Sequence, residues 1–449
     1  MTKKNKIISI VIIVALIAVE CGLAYITVNA INDGRASSHM SQGQGQAPGD
    51  SSTNVEYSAQ TEITESATIS DKEYSSETAD ENAVAVSGAE AAMDNITVTK
   101  TGDSDGGDNT SFYGTNSAII AKDGAKLTIT NANITTDATG ANGVFCYGGS
   151  ATTNNSSSDG TEVNISDSTI TTTKDNSGGI MTTGGGIMNA TNLTVNTAGT
   201  SSAAIRTDRG GGTVNVNGGT YTTTGQGSPS IYSTASVSVK NATLVAKASE
   251  GVVIEGKNSV ELDNCQLTDN NTKLNGKSTT YKNIFLYQSM SGDADDGTAS
   301  FTAKNSKITT QKGDTLYVTN TAATINLENN TIVNNDSSGY FLRAQKDSWG
   351  NEGSNGGTVE LNMTKQRASG DIYIDSISTL TMNMKNGSYY EGAINSENCA
   401  KSISLNLDSS SKIKLTGDTY LTELNDDDTT YSNIDFNGYT LYVNSKAIN

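Results

Sequence analysis

One short pattern recurs along this chain: apolar, any, apolar, any, then Asn, Asp or Gly, then two residues and another apolar. Clean copies begin at Leu127, Val163, Val214, Val237, Val260, Phe301, Ile325, Met382 and Ile434, with degenerate copies at Gly186, Val359 and Leu405. Five of the eleven intervals are 23 residues and none is shorter, so a fixed coil lengthened by insertions organises the chain from about Leu127 onward. Self-similarity at such a period is the mark of a solenoid. In the copy at Val237, Val237 and Val239 point inward from a first strand and Asn241 turns the corner. Leu244 and Ala246 point inward from a second strand, and a turn ending at Gly251 leads to a third, Val252 to Glu255. Three short strands per coil predict an all-β chain, a single parallel β-helix of about 12–13 coils and about 60 Å in length at about 4.8 Å per coil. The corner residue in the nine clean copies is always Asn, Asp or Gly, the types that enter the left-handed backbone region cheaply. Stacked corner asparagines would hydrogen-bond between coils. Ala83 to Val98 and Tyr431 to Asn449 are the expected end caps.

Composition agrees with a thin, distributed core. Apolar residues are only 34% of the chain, and the two prolines, Pro48 and Pro229, leave a long ladder of strand donors intact. A formal net charge of −19 repels phosphate backbones and excludes nucleic acid as the expected partner. Cys21, Cys146, Cys265 and Cys399 have neither metal-site spacing nor the arrangement of a disulfide framework, and read as structural or incidental.

Ahead of the repeats, Lys3, Lys4 and Lys6 precede a largely apolar run from Ile7 to Val28. That run is long enough to span a bilayer of about 30 Å, with the basic cluster held in the cytoplasm and the remainder outside. Residues 1–30 therefore read as an uncleaved signal anchor, or as a signal peptide cleaved after Val28-Asn29-Ala30. Residues 31–82, rich in Ser, Gln, Gly, Thr and Glu, are expected to be a flexible stalk, and residues 83–449 the β-helix. The expected location is the extracellular face of a cell membrane, and the expected state is a monomer.

Subtracting the 23-residue coil isolates four insertions, at about Cys146 to Glu162, Tyr287 to Thr298, Arg343 to Thr358 and Thr422 to Asn433. All follow the third strand, and insertions at one position of a solenoid commonly build its binding face. If Ile205, Ile231, Ile254, Leu286, Leu316, Leu342 and Ile372 point inward, the next residues outward are Arg206, Tyr232, Glu255, Tyr287, Tyr317, Arg343 and Tyr373. Such a ladder suits sugar rings, which stack on tyrosine faces and bond to flanking charges; cross-strand packing over a sheet face is the other reading. Trp349, the only tryptophan, is a ligand platform or a pin for its loop. Asp293, Asp295 and Asp296 are the candidate ligands for Ca2+, the only cofactor the acid clusters suggest, against a reading as solvated loop charge.

The only histidine is His39, in the stalk, so histidine-dependent nucleophiles and zinc sites are excluded from the repeat region. Glu255 is the candidate for carboxylate catalysis, with a plain surface rung as the alternative.

With repeats such as Leu127-Thr-Ile-Thr-Asn131-Ala-Asn-Ile134 and Val237-Ser-Val-Lys-Asn241-Ala-Thr-Leu244, the region resembles the right-handed parallel β-helix superfamily of pectate-lyase-like proteins, adhesins and carbohydrate-binding surface proteins. The end, Ile434-Asp-Phe-Asn-Gly438-Tyr-Thr-Leu-Tyr-Val443, resembles those of exported β-helix proteins of Gram-positive bacteria. The Gly-His-Gly motif of polygalacturonases is absent, as is any segment matching the pectate-lyase catalytic signature. The resemblance implies a surface protein binding polysaccharide or another cell-surface ligand without catalysis. The alternatives are a polysaccharide lyase or hydrolase, and a passive wall protein.

Overall fold

The computed structural model describes residues 55–105, 107–149 and 158–449. The expected anchor at 7–28, the first part of the stalk, Cys21 and His39 lie outside the described residues, as do residues 150–157 of the Cys146–Glu162 insertion. Among the described residues, no helix is long and apolar enough to cross a membrane.

The chain winds as a parallel β-helix. Its third strands form one 12-stranded parallel sheet, from Ala59–Ile63 to Ile372–Ile374. The first and second strands together form a 22-stranded sheet, because Gly186–Thr197 and Gly212–Thr223 run unbroken around the corner and join the two rows. Register is residue on residue: Val237 lies beside Val260, Val260 beside Phe301, and Phe301 beside Ile325. Alternate residues of each strand enter a single apolar core running the length of the rod, from Ile63 to Leu441.

The corners behave as their residue types require. Asn131, Asp167, Gly218, Asn241, Asn264, Asn305, Asn329, Asn386 and Gly438 all have positive φ, between 50° and 85°. Several bond between coils, Asn264 donating to Asn241 at 2.8 Å and Asn329 to Asn305 at 2.9 Å. Inside the next corner an unforeseen polar seam appears, in which buried threonines Thr136, Thr172, Thr197 and Thr223 each donate to a turn carbonyl five residues on. Asp269 occupies the same inward position at its own rung, wholly buried, and burial pushes its carboxyl well above the usual range.

Three expectations change. Strands at Ala59–Ile63, Ala67–Ser70 and Glu73–Ser76 pair in register with the coil after them, so regular coils begin inside the segment read as stalk, and Ala83–Val98 is part of an ordinary coil. Their inward residues are Ala, Thr, Tyr and Ser as well as Ile, too weak an apolar signal to stand out in a polar stretch. First strands consequently stack fourteen deep, from Ala67–Ser70 to Glu423–Asp426. The degenerate copies at Gly186 and Val359 slip by two residues: Met188 and Leu361 hold the positions equivalent to Leu127. Ile434 belongs to a second strand stacked on Ile413, and Thr422–Asn433 contains the strand Glu423–Asp426 rather than a projecting loop. At the C-terminal end, Leu441–Val443 stacks on Thr419–Leu421 and is closed by the antiparallel strand Lys446–Ala447.

Lys365 stands at an exposed corner with φ 50°, where the clean copies of the repeat place Asn, Asp or Gly. Lys365→Asn is expected to stabilise the fold by about 1 kcal/mol, read as an increase in the denaturant midpoint at constant slope. For Asp269, both states are protonated in strong acid, and the unfolded chain ionises first as pH rises, so stability falls across the range above the ordinary carboxyl pKa. Asp269→Thr should remove that fall and raise stability at pH 8 by about 1–3 kcal/mol, seen by comparing melting at pH 5 and pH 8.

Candidate functional site

The outer face of the 12-stranded sheet carries side chains as expected, in a different register. Arg206 lies beside Tyr232, Tyr232 beside Val253, Val253 beside Phe285, Phe285 beside Tyr317, Tyr317 beside Arg343, and Arg343 beside Tyr373. Glu255 and Tyr287 pair with each other one outward step farther along their strands. Val252 and Ile284, not Ile254 and Leu286, are the residues level with Ile205 and Leu316. Both sets point into the core, so the apolar alternation alone did not distinguish them.

Nor is the ladder an open platform. Val253, Phe285, Tyr287, Tyr317 and Trp349 form a second apolar cluster outside the sheet, with Tyr232 packed against it. Phe285 stacks on Tyr287 with centroids 4.4 Å apart, and Trp349 closes over both at 5.3 Å. Tyr317 is 0% exposed and Trp349 4%, so these ring faces contact one another. Trp349 thus pins its loop, helped by Asn355, whose amide donates to the Trp349 and Asp347 carbonyls.

Glu255 lies at the centre of a hydroxyl cage and is 1% exposed. Tyr232 and Ser289 donate short hydrogen bonds to its carboxylate, Tyr287 donates at 2.9 Å, and Ser291 lies 3.4 Å away. Burial raises its pKa against the effect of those donors. Two of the four donors come from the insertion after Tyr287, so Glu255 ties that loop to the sheet.

Beside it is a cluster that the sequence reading missed. Asp208 pairs with Arg206 at 2.9 Å and is buried, which pushes its pKa up to about 7. Arg209 pairs with Asp293 at 2.6 Å and rests 4.0 Å over the ring of Phe112. Phe112 belongs to a single helical turn, Asn109–Tyr113, in an insertion absent from the repeat count because it precedes the first clean copy. That insertion roofs the N-terminal part of the same sheet face: Gly114, at φ 73°, lies so close to the Phe145 ring that a Cβ would collide with it. The signal was present in Arg206-x-x-Arg209, with both cations at the end of one third strand.

Farther along, Arg343 Nε bonds to Asp314 at 2.6 Å, with Tyr340 and Tyr373 rings 4.3 Å and 5.4 Å from its guanidinium. Tyr317 donates to Asp347. Lys282, fully buried, places its ammonium 4.3 Å from the Phe285 centroid and 4.8 Å from that of Tyr317, and desolvation lowers its pKa. Cys146, Cys265 and Cys399 are free thiols.

Asp293, Asp295 and Asp296 do not converge. Asp293 is committed to Arg209, and among the described residues no three His, Cys, Asp or Glu side chains come together as metal ligands. Asp295 and Asp296 instead line an open depression of about 530 Å³ with Lys257, Gln288, Met290, Gly292 and Ala294. Met290 stands 57% exposed at its rim, while Gln288 is 6% exposed and its Oε1 has no hydrogen-bond partner.

Set against known protein families, curated proteins and solved structures, the chain matches none.

Glu255→Ala leaves buried hydroxyls of Tyr232 and Tyr287 without an acceptor and is expected to cost about 2–4 kcal/mol. Glu255→Gln keeps an acceptor and sheds the buried charge, so its melting temperature should stay near that of the parent at pH 8; equal losses in both variants would contradict the pinning role.

Proposed function

We propose that this chain is an exported, surface-anchored, right-handed parallel β-helix of the adhesin-like kind, held to a membrane through residues 7–28. In this reading it binds polysaccharide or another hydroxyl-bearing cell-surface ligand without catalysing its turnover. The observation that carries the proposal is the depression beside the sealed Glu255 cage: Lys257, Asp295, Asp296 and Gln288, whose Oε1 has no hydrogen-bond partner, line it together with the exposed Met290. A few convergent polar groups around an apolar patch suit a sugar, which offers hydroxyls on its edges and C–H groups on its faces. The buried tyrosines support the loop that shapes this depression, and Trp349 and Glu255 hold the scaffold beneath it.

A second reading, a glycoside hydrolase, has one observation in its favour: Asp208 and Glu255 are both buried, with raised pKa values suited to a general acid. Sealing weighs against it, since each carboxyl is occupied by hydroxyls or by Arg206 of this chain.

Soluble oligosaccharides should bind the full chain in an array or titration, and Asp295→Ala/Asp296→Ala together with Gln288→Ala should weaken binding at least tenfold. Reducing or unsaturated sugars released from a polysaccharide panel, and lost in Glu255→Gln, would replace this reading with the enzymatic one. No binding by the parent chain would remove both.

A further inference from the structure

The second strands present a face unlike any other on the rod. Two outward rows run along it in register, one from Thr97 to Thr331 and the other from Thr99 to Val333, across nine consecutive strands. Every position in both rows is threonine except Asn133, Asn196, Val245, Gln266, Lys307 and Val333. Lys307 is the one charge in either row, on a chain whose net charge is −19. Charge returns where the array stops, with Glu73 paired to Thr97 at one end and Arg367 beginning the next strand beyond the other.

All of these side chains are exposed or half-buried, and among the described residues no threonine hydroxyl in either row has a hydrogen-bond partner within the chain. The contrast with the neighbouring face is sharp. On the first strands the outward row holds two self-bonded amide runs, with Asn189 donating to Asn164 and Asn215 to Asn189 in one, and Asn362 to Asn326, Asn383 to Asn362 and Asn406 to Asn383 in the other. Inward threonines are likewise spent on turn carbonyls. The array keeps its threonine donors and acceptors free over nine consecutive rungs.

Spacing defines what fits. Rungs repeat every ~4.8 Å for about 38 Å, and the two rows lie about 6.6 Å apart along each strand. A globular protein partner that is not itself a stack of coils has no such translational repeat, and a charged polymer would find only the single charge of Lys307. From this array we propose that the second-strand face is a docking surface for the flat side of an insoluble, uncharged polysaccharide fibre. Its sugar units repeat along a straight axis at nearly the rung spacing and offer hydroxyls that both donate and accept. The Thr hydroxyls meet those groups, the Thr methyls cover the C–H patches between them, and Asn133, Asn196 and Gln266 serve equally as donors. An ice lattice would demand the same group at every rung, which Gln266 and Lys307 break. The proposal shares its ligand class with the function above but occupies a different surface.

Co-sedimentation of the full chain with microcrystalline cellulose and with chitin tests it. The parent should be depleted from solution by at least one of them. Thr194→Val/Thr220→Val/Thr222→Val, which preserves shape and removes hydroxyls, should weaken adsorption at least tenfold with an unchanged melting temperature, and Thr194→Lys/Thr220→Lys should abolish it. Asn189→Lys/Asn215→Lys on the self-bonded face, and Asp295→Ala/Asp296→Ala at the depression, should leave adsorption as in the parent. No adsorption by the parent, adsorption unchanged in the valine variant, or growth-arrest of ice crystals without polysaccharide adsorption would each overturn the proposal. Loss of soluble-sugar binding with fibre adsorption intact would fault the depression alone.

Discussion

The structure depends on a backbone ladder that stays in register while turning a corner at each coil. Parallel strands need a connection that brings the chain back at the same level, and here a single residue in the left-handed region does it. Asn, Asp and Gly tolerate that conformation, which is why the corner is the least variable part of the repeat. Once the corners are set, every inward residue stacks on its equivalent one coil away, and a chain with modest apolar content closes a continuous core. Where the corner carries Lys365, the same backbone is kept by its neighbours.

The parts of the fold legible in the sequence were those governed by this local constraint. Eight of the nine corners named from the repeat are left-handed turns between a first and a second strand, Gly438 being left-handed after a second strand instead, and Val237, Val260, Phe301 and Ile325 align as read. Gly186 and Val359 were misplaced because strand alternation has period two, and a slip of two residues leaves every apolar side chain on the correct face. The same ambiguity put Glu255 and Tyr287 level with Tyr317. The first coil escaped notice for another reason: its inward positions include Thr61, Tyr74 and Ser76, and the pattern weakens below recognition.

The candidate site was legible as a location and illegible as a surface. The insertions do return over the third-strand sheet, and the Tyr and Arg residues do line its outer face. What no local pattern conveys is that the insertions lie down on those residues, turning a row of rings into a buried cluster with Phe285 and Trp349. Asp208 and Arg209 carried no repeat signal, and their partners Phe112 and Asp293 are distant in sequence. The threonine rows, by contrast, were in plain view as Thr-x-Thr pairs, and only the register shows that they form one array.

A stack of coils touches only its neighbours, so each coil lends stability to the next and a break can travel from either end. Arg209 departs from that scheme, joining Phe112 on one side to Asp293 on the other. It acts as a rivet between two lids rooted in well-separated coils. Pulled from one end, such a rod would not shed its turns one at a time past that point; the length between the two lids would resist and yield as a single mechanical block.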